Sequence, residues 1–207
     1  MRTLLVTTFV TLDGVMQAPG GPEEDPSGGF GHGGWSVGYW DEAMGDWMGG
    51  IMRPPFELLL GRRTYEIFAA HWPTSTDPGA KELNEATKHV ASRSLDHVDW
   101  QNARLLEGDA ADAVRGLKET DGLDLQVHGS GDLIQTLLEQ DLVDEFRIWV
   151  FPVVLGAGRR LFAEGTTPAG LELVDTKVSS TGVVLLSYRR SGSPKYGSFA
   201  GEQAAEA

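Results

Sequence analysis

Apolar and polar positions follow two different periods along this chain, and the order in which the periods change predicts its elements. Residues 3–12 form an apolar, β-branched run broken by threonines, which predicts a largely buried strand. Residues 19–38 hold eight glycines and three prolines in twenty positions, a composition that predicts a long loop. A loop of that length is either a lid or binding loop, or plain disorder centred on Gly28–Gly34. Helical spacing follows at Trp40, Ala43, Met44, Trp47, Met48 and Ile51, with Asp41, Glu42 and Asp46 off that face, and Pro54-Pro55 ends the helix. Phe56–Leu60 reads as a short strand stopping at Gly61, and a helix runs from about Arg62 to His71 before Trp72-Pro73.

A helix around Ala80–Thr87 and a strand over Lys88–Ser92 come next. Asp109 is placed as the N-cap of a helix whose Ala110, Ala113, Val114 and Leu117 keep i, i+3, i+4, i+7 spacing to about Asp121-Gly122. Leu123, Leu125 and Val127 alternate as a strand, and His128-Gly129-Ser130-Gly131-Asp132 turns directly into a helix carrying Leu133, Ile134, Leu137 and Leu138. Residues 145–155 predict a longer strand, and 171–178 with 183–189 a hairpin turning at Ser180-Thr181-Gly182. Strands alternating with helices before a closing hairpin predict an α/β layer fold: a mostly parallel sheet with an antiparallel C-terminal edge. One domain over residues 1–190 is expected, with a small, polar, acidic tail over 191–207 expected to be disordered.

Composition narrows the function. The 207 residues suffice for a core that buries roughly 70% of the unfolded surface. Seventeen basic against thirty acidic residues give a net charge of −13, which argues against a nucleic-acid backbone as partner. No apolar window is long enough for a membrane span, and no cleavable leader is evident, so a cytoplasmic protein acting on a small molecule is expected. The absence of cysteine removes disulfides, thiolate nucleophiles and cysteine-ligated metals. The five histidines, His32, His71, His89, His97 and His128, show no ligand spacing, so no metal site is expected. Ser130 has no histidine–acid partner in motif context, and Gly156-Ala157-Gly158 reads as a structural turn.

Three turns that follow predicted strands carry the candidate chemistry: Gly61, Ser92-Arg93-Ser94 and Gly129-Ser130-Gly131. In an open parallel sheet the carboxyl ends of the strands share one edge, so these turns are expected to meet at one crevice. Glycine admits a phosphate close to the backbone, and the N–H groups of a helix start face it with the favourable end of the dipole. Arg62 and Arg93 add planar charge suited to a phosphate dianion. Trp35, Tyr39, Trp40 and Trp47 offer a stacking surface for a flat heterocycle, although core packing explains Trp47 equally well.

Gly61-Arg62-Arg63-Thr64-Tyr65-Glu66 resembles the G-R-x-T-[YW]-E segment of the dihydrofolate reductase superfamily, and Thr11-Leu12-Asp13-Gly14 the [ST]-L-D-G of its riboflavin-biosynthesis reductase branch. Ser92-Arg93-Ser94-Leu95, His128-Gly129-Ser130-Gly131, Leu142-Val143-Asp144-Glu145 and Pro152-Val153-Val154-Leu155-Gly156 follow in that family's order, over about residues 3–189. The resemblance implies a three-layer dihydrofolate-reductase-like fold with NADPH across the carboxyl edge of the sheet. It places Gly61, Arg62 and Thr64 at the cofactor phosphates, and Ser92 and Arg93 at the adenosine 2′-phosphate. Gly129, Ser130, Gly131 and Asp132 fall at the pyrophosphate, and Asp13 beside the nicotinamide and substrate pocket as a proton donor or hydrogen-bond acceptor. It further implies a homodimer paired through sheet edges.

The chain departs from those relatives in two respects. Without cysteine it has no zinc deaminase, so deamination is excluded. The helix at 40–51 places no carboxylate on its apolar face, where a pterin-binding acid is expected. The expectation is therefore an NADPH-dependent reductase of a small heterocyclic or carbonyl/imine substrate. The alternative is a non-catalytic nucleotide-binding or assembly module on the same scaffold.

Overall fold

The computed structural model describes residues 1–53 and 55–198. Of the residues in the expected tail, 199–207 lie outside the described residues, as does Pro54 at the end of the first helix; residues 191–198 take no regular structure. In chain order the elements are β1 (Leu4–Thr11), α1 (Glu42–Met52), β2 (Glu57–Gly61), α2 (Arg62–His71), α3 (Ala80–Glu85) and β3 (Lys88–Ala91). There follow β4 (Ala103–Leu105), α4 (Ala110–Glu119), β5 (Leu125–His128), α5 (Gly131–Glu139), β6 (Glu145–Phe151), β7 (Leu171–Val178) and β8 (Val184–Arg190). The strands form one sheet in the order β4-β3-β2-β5-β1-β6-β8-β7, parallel from β4 to β6 and antiparallel through β8 and β7. This is the expected α/β architecture.

Side-chain alternation along the central strands divides the core into layers. Leu4, Val6 and Val10 of β1 pack with Val114 of α4 and Ile134 and Leu137 of α5 on one face. On the other, Phe9 joins Trp149, Phe151 and Met44 beneath α1, while Leu58 and Leu60 of β2 pack with Tyr65 of α2 and Leu83 of α3. Buried Lys88 closes the α3 end: its ammonium donates to the carbonyls of Asn84 (2.7 Å) and Gln101 (3.0 Å) and lies 4.1 Å from the Trp100 ring.

Several boundaries differ from expectation. β4 was not foreseen: three residues are too short to show a period, and the strand exists because Lys88, His89 and Val90 offer it a parallel register. The sixth strand ends at Phe151 rather than 155, because Pro152 interrupts it and the Val153 amide donates back to the Phe151 carbonyl. Trp40 precedes its helix instead of joining it: Asp41 is the N-cap, accepting from the Met44 amide, and Trp40 stacks on Trp149 at 6.3 Å.

The glycine-rich segment follows a defined path. A Cβ at Gly33 would lie 2.5 Å from the Gly21 carbonyl oxygen, so the two ends of the segment cross where only glycine fits. Phe30 is buried against Val15 and Ala18, and the Gln17 amide donates to the carbonyls of Asp25 and Ser27, both at 3.0 Å. At the far end of the sheet β7 is exposed on both faces, with Leu173, Val174 and Val178 open to solvent. No helix among the described residues is long and apolar enough to cross a membrane.

Candidate functional site

β5 ends at His128, which pairs with Thr7, while β1 runs on to Thr11 with only β6 beside it. The sheet therefore opens between β5 and β1, and a cleft of about 1390 Å³ lies there. The turns after β2, β3 and β5 line one side of it, and Thr7, Thr8 and Phe9 of β1 line its floor. α1 contributes Gly45, Met48, Gly49 and Met52, and the glycine-rich segment adds Ala18 to Gly20, Glu24 and Asp25.

All nine expected cofactor residues meet here: Gly61, Arg62, Thr64, Ser92, Arg93, Gly129, Ser130, Gly131 and Asp132 line the same cleft. Gly61 is the N-cap of α2 and Ser130 that of α5, and neither helix has a side-chain cap on its first amides. Instead the Ser130 hydroxyl accepts the Gly61 amide at 2.8 Å, across 69 residues of sequence. A Cβ at Gly61 would stand 3.1 Å from the Ser130 Cβ, so glycine is what lets the two helix starts come this close. Gly129 (φ 73°) and Ser130 (φ 69°) both take left-handed backbone. For Ser130 that conformation is strained, and strain of this kind is concentrated at ligand sites. Two uncapped helix N-termini open on one cleft, an arrangement that favours negative charge there.

The arginines divide by partner. Arg62 pairs with Glu66 one turn on, at 3.1 Å on an exposed face. Arg63 and Arg159 converge on Asp25, at 2.9 and 3.3 Å, and both also donate to the Ser27 hydroxyl. Burial opposes the Asp25 charge, but the Ser27 hydroxyl and amide with both guanidinium groups outweigh it and hold the carboxyl below its ordinary value. This knot fastens the glycine-rich segment to the start of α2, as a wall of the cleft. Arg93 is exposed and has no carboxylate partner among the described residues, so its charge is available. The Ser92 hydroxyl shapes that turn by accepting from the amides of Ser94 (3.1 Å) and Leu95 (3.0 Å).

Asp13 is not among the cleft-lining residues, contrary to the expectation that it borders the substrate pocket. Its carboxylate accepts from the Thr11 hydroxyl, the Leu155 amide (3.2 Å) and the Gly156 amide (2.8 Å), with Arg160 at 3.6 Å. The Thr11 hydroxyl, then the two amides, hold it down to about 2. A carboxyl so committed is a clamp between the ends of β1 and β6 and has no proton to give at neutral pH.

Three cleft residues escaped the sequence. Thr7 has a buried hydroxyl without a partner, a state that costs about 1–3 kcal/mol. His128 stands at the foot of the cleft, where burial and then the Arg147 charge push its imidazole down to about 4. Glu24 accepts from the Gly20 amide at 2.6 Å, and burial pushes its carboxyl up. No group of three or more metal-ligating side chains occurs among the described residues.

The family model for the RibD C-terminal domain matches residues 2–185. The chain is 30% identical over 196 residues to the uncharacterised protein YyaP of Bacillus subtilis, covering 92% of this chain and 96% of that one. Among solved structures it resembles a candidate riboflavin biosynthesis protein from Shewanella sp. PV-4, with a TM-score of 0.65, 21% identity, and coverage of 92% of this chain and 99% of that chain. It also resembles the diaminohydroxyphosphoribosylaminopyrimidine deaminase/5-amino-6-(5-phosphoribosylamino)uracil reductase of Thermotoga maritima, with a TM-score of 0.61 and 14% identity. That match covers 92% of this chain and 57% of the Thermotoga chain. At these identities the two structural likenesses are likenesses of fold.

Proposed function

This chain belongs to the RibD C-terminal domain family, and from that premise we propose that it is an NADPH-dependent reductase of a small, flat heterocyclic or carbonyl/imine substrate. The observation that carries the reading is the meeting of two uncapped helix starts, at Gly61 and Ser130, with the unpaired Arg93 in a single cleft. A dinucleotide carrying an extra phosphate matches that donor set. The amides at the starts of α2 and α5, with the Thr64 hydroxyl, would hold the pyrophosphate. Arg93 and the Ser92 turn, two strands away from β5, would hold the 2′-phosphate.

When bound, the cofactor supplies a hydride, two electrons and one proton together, to the electrophilic carbon of a C=N or C=O bond. The heteroatom then takes one proton, which would reach it through cleft water. Trp40, Phe9 and the small Gly45 and Gly49 leave a flat, largely apolar seat beneath α1. We assign Asp13 a structural role, because its oxygens are engaged by Thr11, Leu155 and Gly156. Two copies would pair through β7, the strand exposed on both faces.

Calorimetric titration with NADPH and NADH tests the reading: micromolar NADPH binding with weaker NADH binding supports it, and binding of neither at near-millimolar concentration defeats it. One observation favours a second reading, a non-catalytic nucleotide-binding module: α1 places no carboxylate in the cleft. That reading predicts NADPH binding without oxidation across a panel of pterins, pyrimidines and small carbonyls.

A further inference from the structure

The wall of the cleft formed by the glycine-rich segment holds an arrangement that the dinucleotide does not need. Two cleft arginines from distant parts of the chain, Arg63 of α2 and Arg159, turn their guanidinium groups onto one carboxylate, that of Asp25. Arg63 reaches one Asp25 oxygen at 2.9 Å and Arg159 the other at 3.3 Å, while the Ser27 hydroxyl, itself donating to Asp25, accepts from both. The Ser27 amide completes the cradle at 3.2 Å. Two planar forks, a hydroxyl and an amide are the donors that a phosphate or carboxylate ligand requires. Gln17, only 6% exposed, builds this site from beneath. Its amide nitrogen donates to the Asp25 and Ser27 carbonyls, both at 3.0 Å, and its oxygen accepts the Arg159 amide at 3.0 Å. One buried side chain therefore fixes the backbone of all three residues without touching the Asp25 charge.

We propose that Arg63, Arg159 and Ser27 are an anion site that the chain fills with its own Asp25 carboxylate, and that Asp25 thereby turns away ligands bringing a phosphate or carboxylate to this wall. The Asp25 side chain is 18% exposed, against 34% for Arg159 and 48% for Arg63, so the carboxylate sits deepest and both cations keep a free face. A second anion could reach those faces only within a few ångströms of the Asp25 oxygens, where like charges repel. Asp132, 3.8 Å from Arg159, adds another carboxylate, so two cations are matched by two anions. The cleft therefore has two electrostatic halves. Arg93 and the two helix starts keep their pull on phosphates, whereas the wall at Asp25 is neutralised and suits a ligand uncharged on the side that faces it. That consequence for the substrate rests on the dinucleotide reading; the filled anion site does not.

The test titrates inorganic phosphate into the whole chain without nucleotide and reads the nitrogen-15 Nε–Hε signals of Arg63 and Arg159, which report this wall apart from the helix starts. In the wild type both signals should stay in place at near-millimolar phosphate. In Asp25→Asn, whose amide keeps the shape of the carboxylate, both should shift along one isotherm, with phosphate bound at least tenfold more tightly than by the wild type. Asp25→Ala, which removes the acceptor altogether, should show the same gain. Adding Arg159→Gln to Asp25→Asn should abolish it. Thermal unfolding, with the Gln17 side-chain amide signals, establishes that each variant is folded and keeps the segment in place. Wild-type arginine signals that follow phosphate as readily as those of Asp25→Asn, variants at Asp25 whose arginines ignore phosphate, or a gain that survives Arg159→Gln overturns the proposal. Failure to bind NADPH, measured separately, strikes the dinucleotide reading and leaves the anion site standing.

Discussion

The hydroxyl of Ser130 accepts the amide hydrogen of Gly61 at 2.8 Å, so the first residue of one helix start holds the first residue of another. Ser130→Ala leaves that part-buried amide without its acceptor, at a cost of about 1–2 kcal/mol. Gly61→Ala pushes a methyl against Ser130, at about 1–3 kcal/mol. Each variant should unfold at lower denaturant and bind NADPH several-fold more weakly, measured by urea titration and calorimetry.

Arg93 is a cleft cation whose charge no carboxylate among the described residues neutralises. A charge-assisted bond to a phosphate is worth about 1.5–3 kcal/mol, so Arg93→Ala should weaken NADPH roughly 10- to 100-fold. NADH, without the extra phosphate, should change less than twofold. Paired dissociation constants for the two nucleotides check this, and an equal loss for both would remove Arg93 from the site.

Asp13 yields a prediction with a defined sign. Its carboxyl is held down from the ordinary 3.8 to about 2 by the Thr11 hydroxyl and then by the Gly156 and Leu155 amides. Between those values the unfolded chain binds the proton and the folded one does not, so stability rises with pH there. The contribution is present above about pH 4 and is lost as the pH falls towards 2. Asp13→Asn should flatten the unfolding midpoint over that window relative to wild type. It should still bind NADPH, since the residue lies outside the cleft lining.

β7 presents Leu173, Val174 and Val178 to solvent at the sheet edge. If two copies cover that edge, Val174→Lys should convert a dimer into a monomer in sedimentation velocity at micromolar concentration, with the same circular dichroism spectrum. A wild-type monomer at high concentration would reject the pairing.

Much of this molecule was legible in its sequence, because strand, glycine and helix start are local signals. Gly61 with Arg62 and Thr64, and Gly129 with Ser130, were placed from a few neighbouring residues, and the structure brings them to one cleft. What escaped depends on distant partners. The donors that commit Asp13 include the Leu155 and Gly156 amides, more than 140 residues away. Thr7 reads as one more β-branched strand residue until its orphaned hydroxyl is seen. His128 shows no ligand spacing, and its state is set by Gln126 and the end of α1. The glycine-rich segment left lid and disorder equally open, and the Arg63–Asp25–Arg159 knot that fixes its course joins three separate parts of the chain.

Backbone amide spectra recorded through an NADPH titration test the central claim most directly, because they report each turn separately. The account predicts that Thr64, the Ser92-Arg93-Ser94 turn and Gly129–Asp132 shift together along one saturable isotherm, with the Ser92–Ser94 shifts much reduced when NADH is used. Shifts confined to one turn, or none at all up to millimolar nucleotide, would contradict it.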